Sequence, residues 1–163
     1  MESGVELKRQ AAERTAELVE DGMWIGLGSG TTAEQFVRAI APKVAAGMRL
    51  TCVATSGRTE RLANELGIPL VDLDGELDLA IDGADAIELG TLSAIKGRGG
   101  ALTREKIVAL AARRFVLVGD TSKLVDRLAQ TSPTLPLPVE TLEFGWRMTR
   151  RRLASLGDPV LRE

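Results

Sequence analysis

Apolar residues recur along this chain with two different spacings. In some segments they return every three or four positions, which is typical of a helix with one buried face, and in others they form short continuous runs that favour buried strands. The helical spacing covers residues 6–22, 31–41, 58–67 and 102–114. The first helix is expected to end at Asp21 and Gly22, and the second at Pro42. The apolar runs predict strands within residues 23–30, 48–56, 68–73, 77–85, 94–96 and 114–120.

Helical and strand segments alternate over most of the length, and the strands are uninterrupted apolar runs. Strands that are apolar on both faces need cover on both faces, and strand–helix alternation is the usual route to a parallel sheet. The sequence therefore predicts a Rossmann-like α/β fold: an open, mostly parallel sheet with helices on both faces. The proline-rich segment at residues 131–140 is the candidate boundary, and a basic helix is expected within residues 136–157.

Composition narrows the class of protein. At 163 residues, with 44% hydrophobic and 27% charged residues, the chain has the size and balance of one globular domain. A net charge of −2 gives no general attraction to nucleic acid or acidic membranes, and no apolar run approaches the roughly 20 residues of a membrane span. The N-terminal residues lack the apolar core of a signal peptide, so a cytoplasmic protein is expected. The single cysteine, Cys52, excludes an internal disulfide, and its apolar neighbours predict a buried thiol.

A glycine-rich loop between the first predicted strand and the second helix is one candidate site. The segment GLGSGTTAEQF, residues 26–36, offers N–H groups at a helix start and the hydroxyls of Ser29, Thr31 and Thr32, which would suit a phosphate. Helix capping by Thr31 explains the same residues equally well. A dinucleotide site fits poorly, because Thr31 occupies the third glycine position and the next strand ends without an acid. A nucleotide P-loop would need a Gly-Lys-Ser/Thr sequence that is missing here.

Acidic and basic residues follow several predicted strands. Asp82 and Asp85 lie at the carboxyl end of one strand, where open α/β sheets bind ligands, although an Asp-Gly turn alone would account for them. Lys96 ends a short apolar run and Lys123 follows another strand, and either could be a solvated surface lysine. Glu105 falls in the first turn of a helix, where it could stabilise the helix dipole or, if desolvated, act as a base. The chain contains no histidine, so a carboxylate is the candidate for any proton transfer.

Taken together, these segments resemble ribose-5-phosphate isomerase of the A type. The matching motifs, in the family's order and approximate spacing, are GLGSGTTA, TS followed by RTERLANELGIPL, DGAD, IKGRGGALTREKIV, VGDTSK and LPLPVE. The resemblance covers nearly the whole chain, and its central motif is long and specific. It implies an aldose–ketose isomerase that interconverts D-ribose 5-phosphate and D-ribulose 5-phosphate through an enediol, in the non-oxidative pentose phosphate pathway. It also implies that no metal or organic cofactor is used.

The resemblance further implies a role for individual residues. Glu105 matches the family's base, while Asp82, Asp85 and Lys96 match residues around the reacting oxygens of the sugar. The residues that match substrate-binding positions are Lys8, Ser29, Gly30, Thr31, Thr32, Gly83, Ala84, Gly97, Arg98, Gly99 and Lys123.

Two features depart from the family pattern. Ala86 stands where the family commonly has an acid, and family members usually continue for several tens of residues beyond a segment like the last one here. The resemblance thus implies a catalytic domain at residues 1–132 and, at residues 133–163, the beginning of a small α+β domain whose remainder is missing. It also implies a homodimer without nucleic-acid or membrane partners. A truncated or related sugar-phosphate-binding module without turnover is the alternative function.

Overall fold

The structure, a computed structural model, describes residues 4–128 and 136–162. Within them the helices are α1 (Gly4–Ala16), α2 (Thr31–Ala45), α3 (Gly57–Glu65), α4 (Leu102–Ala111) and α5 (Trp146–Leu153). The strands are β1 (Trp24–Leu27), β2 (Thr51–Ala54), β3 (Leu77–Gly83), β4 (Ala86–Glu88), β5 (Ala94–Ile95), β6 (Ala112–Val118) and β7 (Leu124–Val125). A short 3-10 helix covers Thr121–Lys123. Over the described ranges, no helix has both the length and the apolar character needed to cross a bilayer.

Four strands form the main sheet in the order β2-β1-β3-β6, and each neighbouring pair is parallel. In this register Gly26 of β1 lies between Val53 of β2 and Ala80 of β3. The arrangement confirms the predicted α/β fold with a mostly parallel sheet. Because the strands are parallel, the carboxyl ends of β1, β2 and β3 meet at one edge of the sheet.

Helices cover both faces of this sheet, as predicted. On one face, Ile81 and its neighbours pack with buried side chains of α1, α2 and α3, among them Phe36. On the other face, Ala80 packs with Val108 of α4. The helix α4 lies close to the sheet because Gly26 beneath it has no side chain: a Cβ there would lie 2.5 Å from Cγ1 of Val108.

A second, smaller sheet follows β3, and of its strands only β5 lies in a segment that was predicted as a strand, residues 94–96. Its order is β5-β4-β7, with β5 antiparallel and β7 parallel to β4. The other two strands, β4 and β7, are three and two residues long, which is too short to produce a recognisable apolar period. Ala86 pairs with Ile95, and the Asp85 N–H donates to the Ile95 carbonyl at 2.8 Å. This pairing brings Lys96 back beside the end of β3.

Two predicted helix ends are wrong. The helix α2 continues past Pro42 to Ala45, so that this last turn places Val44 against the main core. Packing of an apolar side chain here outweighs the loss of one helical hydrogen bond at the proline. The helix α1 ends earlier than predicted, at Ala16, because the chain turns there and buries Val19 in the core.

Two strand predictions also need correction. The strand predicted at residues 68–73 is reduced to one bridge between Leu70 and Cys52. Residues 112–114, predicted as the end of a helix, are the beginning of β6, which starts at Ala112 and pairs with Leu77 of β3. The thiol of Cys52 is buried, as predicted.

Residues 136–162 contain α5, which confirms the helix predicted within residues 136–157. Two contacts join this segment to the glycine-rich turn and to α4. The Glu140 carboxylate accepts the Thr103 N–H at 2.7 Å, and the Arg162 guanidinium donates to the Arg98 carbonyl. The predicted domain boundary after residue 132 lies outside the described residues, so the division into two domains stays a prediction.

Candidate active site

A cleft of about 140 Å³ lies at the carboxyl-end edge of the main sheet. The loop after β1, the end of β3 and the glycine-rich turn between β5 and α4 surround it. Its lining residues, each of which the sequence predicted as a site residue, are Lys8, Ser29, Gly30, Thr31, Thr32, Gly83, Ala84, Asp85, Lys96, Gly97, Arg98, Gly99, Glu105 and Lys123. Among the predicted site residues, Asp82 alone does not line the cleft.

Two glycines shape the loop after β1. The Gly28 N–H donates to the Ile81 carbonyl at 2.8 Å, and a Cβ on Gly28 would collide with Asp82. Gly30 has a φ of 90°, a left-handed conformation that glycine adopts without steric cost, and α2 begins at the next residue. The loop can therefore press against the end of β3 and bring the N-terminus of α2 to the cleft.

Asp82 is buried behind the cleft, with 2% of its surface exposed. Its Oδ1 accepts the N–H groups of Ser29 at 2.9 Å and Gly83 at 2.8 Å, and its Oδ2 lies 3.0 Å from Nζ of Lys96. Burial raises the pKa of the Asp82 carboxyl, while Lys96 and the two N–H groups act in the opposite direction. The carboxylate of Asp82 thus joins the loop after β1 to Lys96.

Lys96 connects the two buried carboxylates of the site. Its Nζ lies 3.0 Å from Oδ2 of Asp82 and 3.3 Å from Oε2 of Glu105, and it donates to the Gly83 carbonyl at 2.5 Å. These three oxygens determine the position of an ammonium group that still reaches the cleft. A cation held in this way is placed to stabilise negative charge that develops on a bound ligand.

Glu105 lies in the first turn of α4 and is 4% exposed, yet it borders the cleft. Burial is the main reason that the pKa of its carboxyl is raised, and the negative charge of Asp82 raises it further. The positive charge of Lys96 opposes both effects. A carboxyl group with a raised pKa can remove a proton from a ligand and later return it, as a general base must.

Cationic side chains border another part of the cleft. Lys8 of α1 donates from its Nζ to the Thr31 hydroxyl at 3.2 Å. Lys123 ends the 3-10 helix that Asp120 caps by accepting the Ser122 N–H. Hydrogen bonds from Ser122, and then the charges of Lys8 and Lys123, lower the pKa of the Asp120 carboxyl. The cleft is therefore bordered by carboxylates on one part of its wall and lysines on another.

The glycine-rich turn after β5 is held by its backbone. Oδ2 of Asp85 accepts the Arg98 N–H at 3.1 Å, and Gly97 has a φ of 101° with Leu102 packed against it. The side chain of Arg98 is exposed. This turn places one oxygen of Asp85 against protein backbone while the residue still lines the cleft.

Thr55 begins the TS motif but was not predicted as a site residue; it directly follows β2 and is 1% exposed. Its hydroxyl donates to the Leu27 carbonyl at 3.0 Å and lies 2.7 Å from the Ser29 hydroxyl. Because β2 and β1 are parallel neighbours, their carboxyl ends reach the same edge of the sheet. A search for hydroxyl residues at that strand end, in addition to an acid, would have found Thr55.

A larger cavity of about 480 Å³ is lined by residues of β2, α3, α4 and the segment after α3, and it contains none of the predicted site residues. Within the part of the chain that the structure describes, no three His, Cys, Asp or Glu side chains are grouped as a metal ion would require. The carboxylate–lysine cluster at the smaller cleft is the candidate active site, because the predicted site residues gather there.

Comparisons with known proteins agree with this fold. The family model of ribose 5-phosphate isomerase A (phosphoriboisomerase A) matches residues 51–163. The ribose-5-phosphate isomerase A of Thermomicrobium roseum is 54% identical over 158 residues, which are 95% of this chain and 65% of that protein. The solved ribose 5-phosphate isomerase A of Methanocaldococcus jannaschii has a TM-score of 0.89 at 40% identity, over 94% of this chain and 68% of that one. A D-ribose-5-phosphate isomerase solved in complex with phospho-erythronic acid has a TM-score of 0.87 at 36% identity, over 94% and 67% of the two chains.

The chain thus spans about two thirds of the length of the relatives that it matches. The matched family segment contains Asp82, Lys96 and Glu105, the charged cluster at the centre of the site. Sequence and fold therefore agree that the chain belongs to the ribose 5-phosphate isomerase A family.

Proposed function

We propose that this chain carries the active site of a ribose-5-phosphate isomerase, which interconverts D-ribose 5-phosphate and D-ribulose 5-phosphate. The observation that carries the proposal is the placement of a buried carboxyl, Glu105, beside an ammonium group, Lys96, at one cleft. A glycine loop and a helix N-terminus with neighbouring lysines border the same cleft. The names of its relatives support the same reaction.

The reaction needs one proton carried between two carbons. In the aldose-to-ketose direction, the Glu105 carboxylate removes the proton from the carbon next to the aldehyde, and the electron pair of that C–H bond moves to make an enediolate. The negative charge then resides on the aldehyde oxygen, where the ammonium of Lys96 stabilises it. Glu105 returns its proton to the former aldehyde carbon, so no proton is gained or lost by the enzyme overall.

A second proton moves between the two oxygens of the enediol. Asp85 is the carboxylate suited to this transfer, because it lines the cleft with one oxygen engaged by the Arg98 N–H. Asp82, which the resemblance also places around the reacting oxygens, is instead assigned a positioning role. Both of its oxygens face protein groups, and it holds Lys96 in place from behind.

The phosphate is assigned to the part of the cleft that Lys8, Lys123 and the start of α2 border. The first N–H groups of α2 have no partners within the helix, and in the described part of the chain no side chain caps them. Together with the ammonium groups of Lys8 and Lys123, they form a suitable anion site. Binding energy from the phosphate holds the reacting carbons in register with Glu105.

Ketose formation from ribose 5-phosphate tests the proposal, with Glu105→Gln as the inactive reference and Glu65→Gln, on the exposed surface of α3, as the matched control. We expect the unaltered chain and the control to turn over substrate, and Glu105→Gln to bind it without turnover. An unaltered chain no faster than Glu105→Gln would refute the isomerase assignment. Calorimetric binding of ribose 5-phosphate in that case would identify a binding module.

The remaining predictions belong to the same proposal. The resemblance predicts a homodimer that uses neither metal nor organic cofactor, and the composition predicts a cytoplasmic protein without a nucleic-acid or membrane partner. Activity that survives dialysis against a chelator, and a mass of two chains in light scattering, are the expected results.

A further inference from the structure

Two hydroxyl groups form a pair at the boundary of the cleft. Oγ of Ser29 lies 2.7 Å from Oγ1 of Thr55, and only Ser29 borders the cleft. Thr55 is buried beneath it at the end of β2, with 1% of its surface exposed. The direction of this hydrogen bond decides what Ser29 can offer to a ligand.

The neighbours of Thr55 determine that direction. The Thr55 hydroxyl has one proton and lies 3.0 Å from the Leu27 carbonyl, which can only accept. Thr55 therefore donates to Leu27, and the hydrogen bond between the two hydroxyls must be donated by Ser29. The Ser29 N–H is also engaged, because it donates to Oδ1 of Asp82 at 2.9 Å. Ser29 thus presents only oxygen lone pairs to the cleft.

Thr31, the first residue of α2, has the opposite hydrogen-bonding role: it can donate to a ligand. Its hydroxyl oxygen accepts from Nζ of Lys8 at 3.2 Å, which leaves its own proton available to a ligand. An ionised phosphate has only acceptor oxygens, so it suits Thr31 and not Ser29. A sugar hydroxyl can donate, so it suits Ser29.

We propose that Thr55 is a positioning residue that makes Ser29 a hydrogen-bond acceptor for a hydroxyl of the substrate sugar, while Thr31 donates to the phosphate. This inference rests on the proposed function. It assigns one residue of the glycine-rich segment, Ser29, to the sugar and another, Thr31, to the phosphate. The loop thereby distinguishes a phosphorylated sugar from phosphate alone.

Binding of ribose 5-phosphate and of inorganic phosphate, the latter as a competitor, tests this division in the full chain. Loss of one hydrogen bond corresponds to about three- to tenfold in affinity. We expect Ser29→Ala and Thr55→Val to weaken ribose 5-phosphate binding by that factor and to leave phosphate competition unchanged. Thr31→Val should weaken both ligands, and Thr55→Ser should restore most of the affinity that Thr55→Val loses.

The double variant Ser29→Ala/Thr55→Val separates positioning from a purely structural effect. If Thr55 acts through Ser29, the double variant binds ribose 5-phosphate no more weakly than Ser29→Ala alone. Additive losses, or equal losses for phosphate and ribose 5-phosphate in Ser29→Ala, would overturn the inference, provided that thermal unfolding shows each variant to be folded. Should Thr55→Val not fold, Ser29→Ala and Thr31→Val still test the division of roles through their ligand preference.

Failure of the proposed function would give a different experimental result from failure of this inference alone. An unaltered chain that does not bind ribose 5-phosphate at all would remove both the function and this inference. Binding of ribose 5-phosphate without competition by phosphate would contradict the phosphate assignment of Thr31 and overturn the division, while leaving the sugar-phosphate substrate in place.

Discussion

Replacing Lys96 by methionine removes the cation between two buried carboxylates while keeping a side chain of similar length. The ammonium lies 3.0 Å from Asp82 and 3.3 Å from Glu105. At an effective dielectric constant of about 20, each attraction corresponds to about 5 kcal/mol before desolvation is subtracted. Removing one partner of a buried ion pair destabilises proteins by about 3–5 kcal/mol, and we expect Lys96→Met to lower the free energy of unfolding by that amount at pH 8.

The loss of stability caused by Lys96→Met should be smaller at low pH. Burial already raises the pKa of both carboxyls, and Lys96 opposes that effect, so Lys96→Met raises the two pKa values further. A carboxyl with a raised folded-state pKa favours the folded protein below its unfolded pKa, and this contribution is lost as the pH rises through the folded pKa. Protonating Glu105, whose ordinary pKa is 4.5, costs about 1 kcal/mol at pH 5. Protonating Asp82 as well, whose ordinary pKa is 3.8, costs about 2 kcal/mol more, so at that pH we expect the loss of stability to be smaller than at pH 8 and no greater than about 3 kcal/mol.

Urea unfolding at pH 5, 6, 7 and 8, followed by far-UV circular dichroism, measures this dependence. Lys106→Met, on the exposed side of α4, is the matched control and should change the free energy of unfolding by less than about 0.5 kcal/mol at each pH. A Lys96→Met variant that is unfolded at pH 8 and folded at pH 5 would agree with the reasoning. A loss equal to that of the control at pH 8, or one of constant size across the series, would refute it.

Three further changes have defined outcomes. Glu105→Gln should lower the rate of ketose formation by about 10²–10⁴-fold. It should also raise the melting temperature at pH 8, and this increase should vanish near pH 4, because the native carboxyl is then protonated. Equal melting curves at pH 8 would contradict the raised pKa of Glu105. Glu140→Ala removes the carboxylate that accepts an N–H in the first turn of α4, so urea unfolding should show a loss of about 1 kcal/mol, whereas exposed Glu143→Ala should show almost none. Gly26→Ala places a methyl group against Val108 and should lower the free energy of unfolding by about 1–3 kcal/mol. Turnover should also slow, because α4 carries the base, Glu105. An unchanged rate and stability would show that α4 shifts without consequence.

The alternation of apolar runs and helical periods was sufficient to predict the main sheet and its cover, since long buried segments have a strong pattern. It failed where the pattern is short or where packing acts against local preference. The strands β4 and β7 are too short to show a period, and α2 continues through Pro42 because its last turn buries Val44. The predicted strand at residues 68–73 has apolar character but forms only one bridge, at Leu70.

The motifs, together with the family resemblance, identified each residue that lines the cleft, because in a parallel sheet the residues that follow strands gather at one edge. The sequence by itself therefore determined the family, the α/β fold and the set of residues at the site. Only the tertiary structure decided their arrangement, because burial and hydrogen-bond direction depend on segments distant in the chain. Asp82 lies behind Lys96 and not against the cleft, Glu105 is desolvated by packing of α4, and Thr55 determines the direction of the Ser29 hydroxyl. Residue types name the groups that can exchange protons, but the packing around them determines which of those groups a ligand can reach.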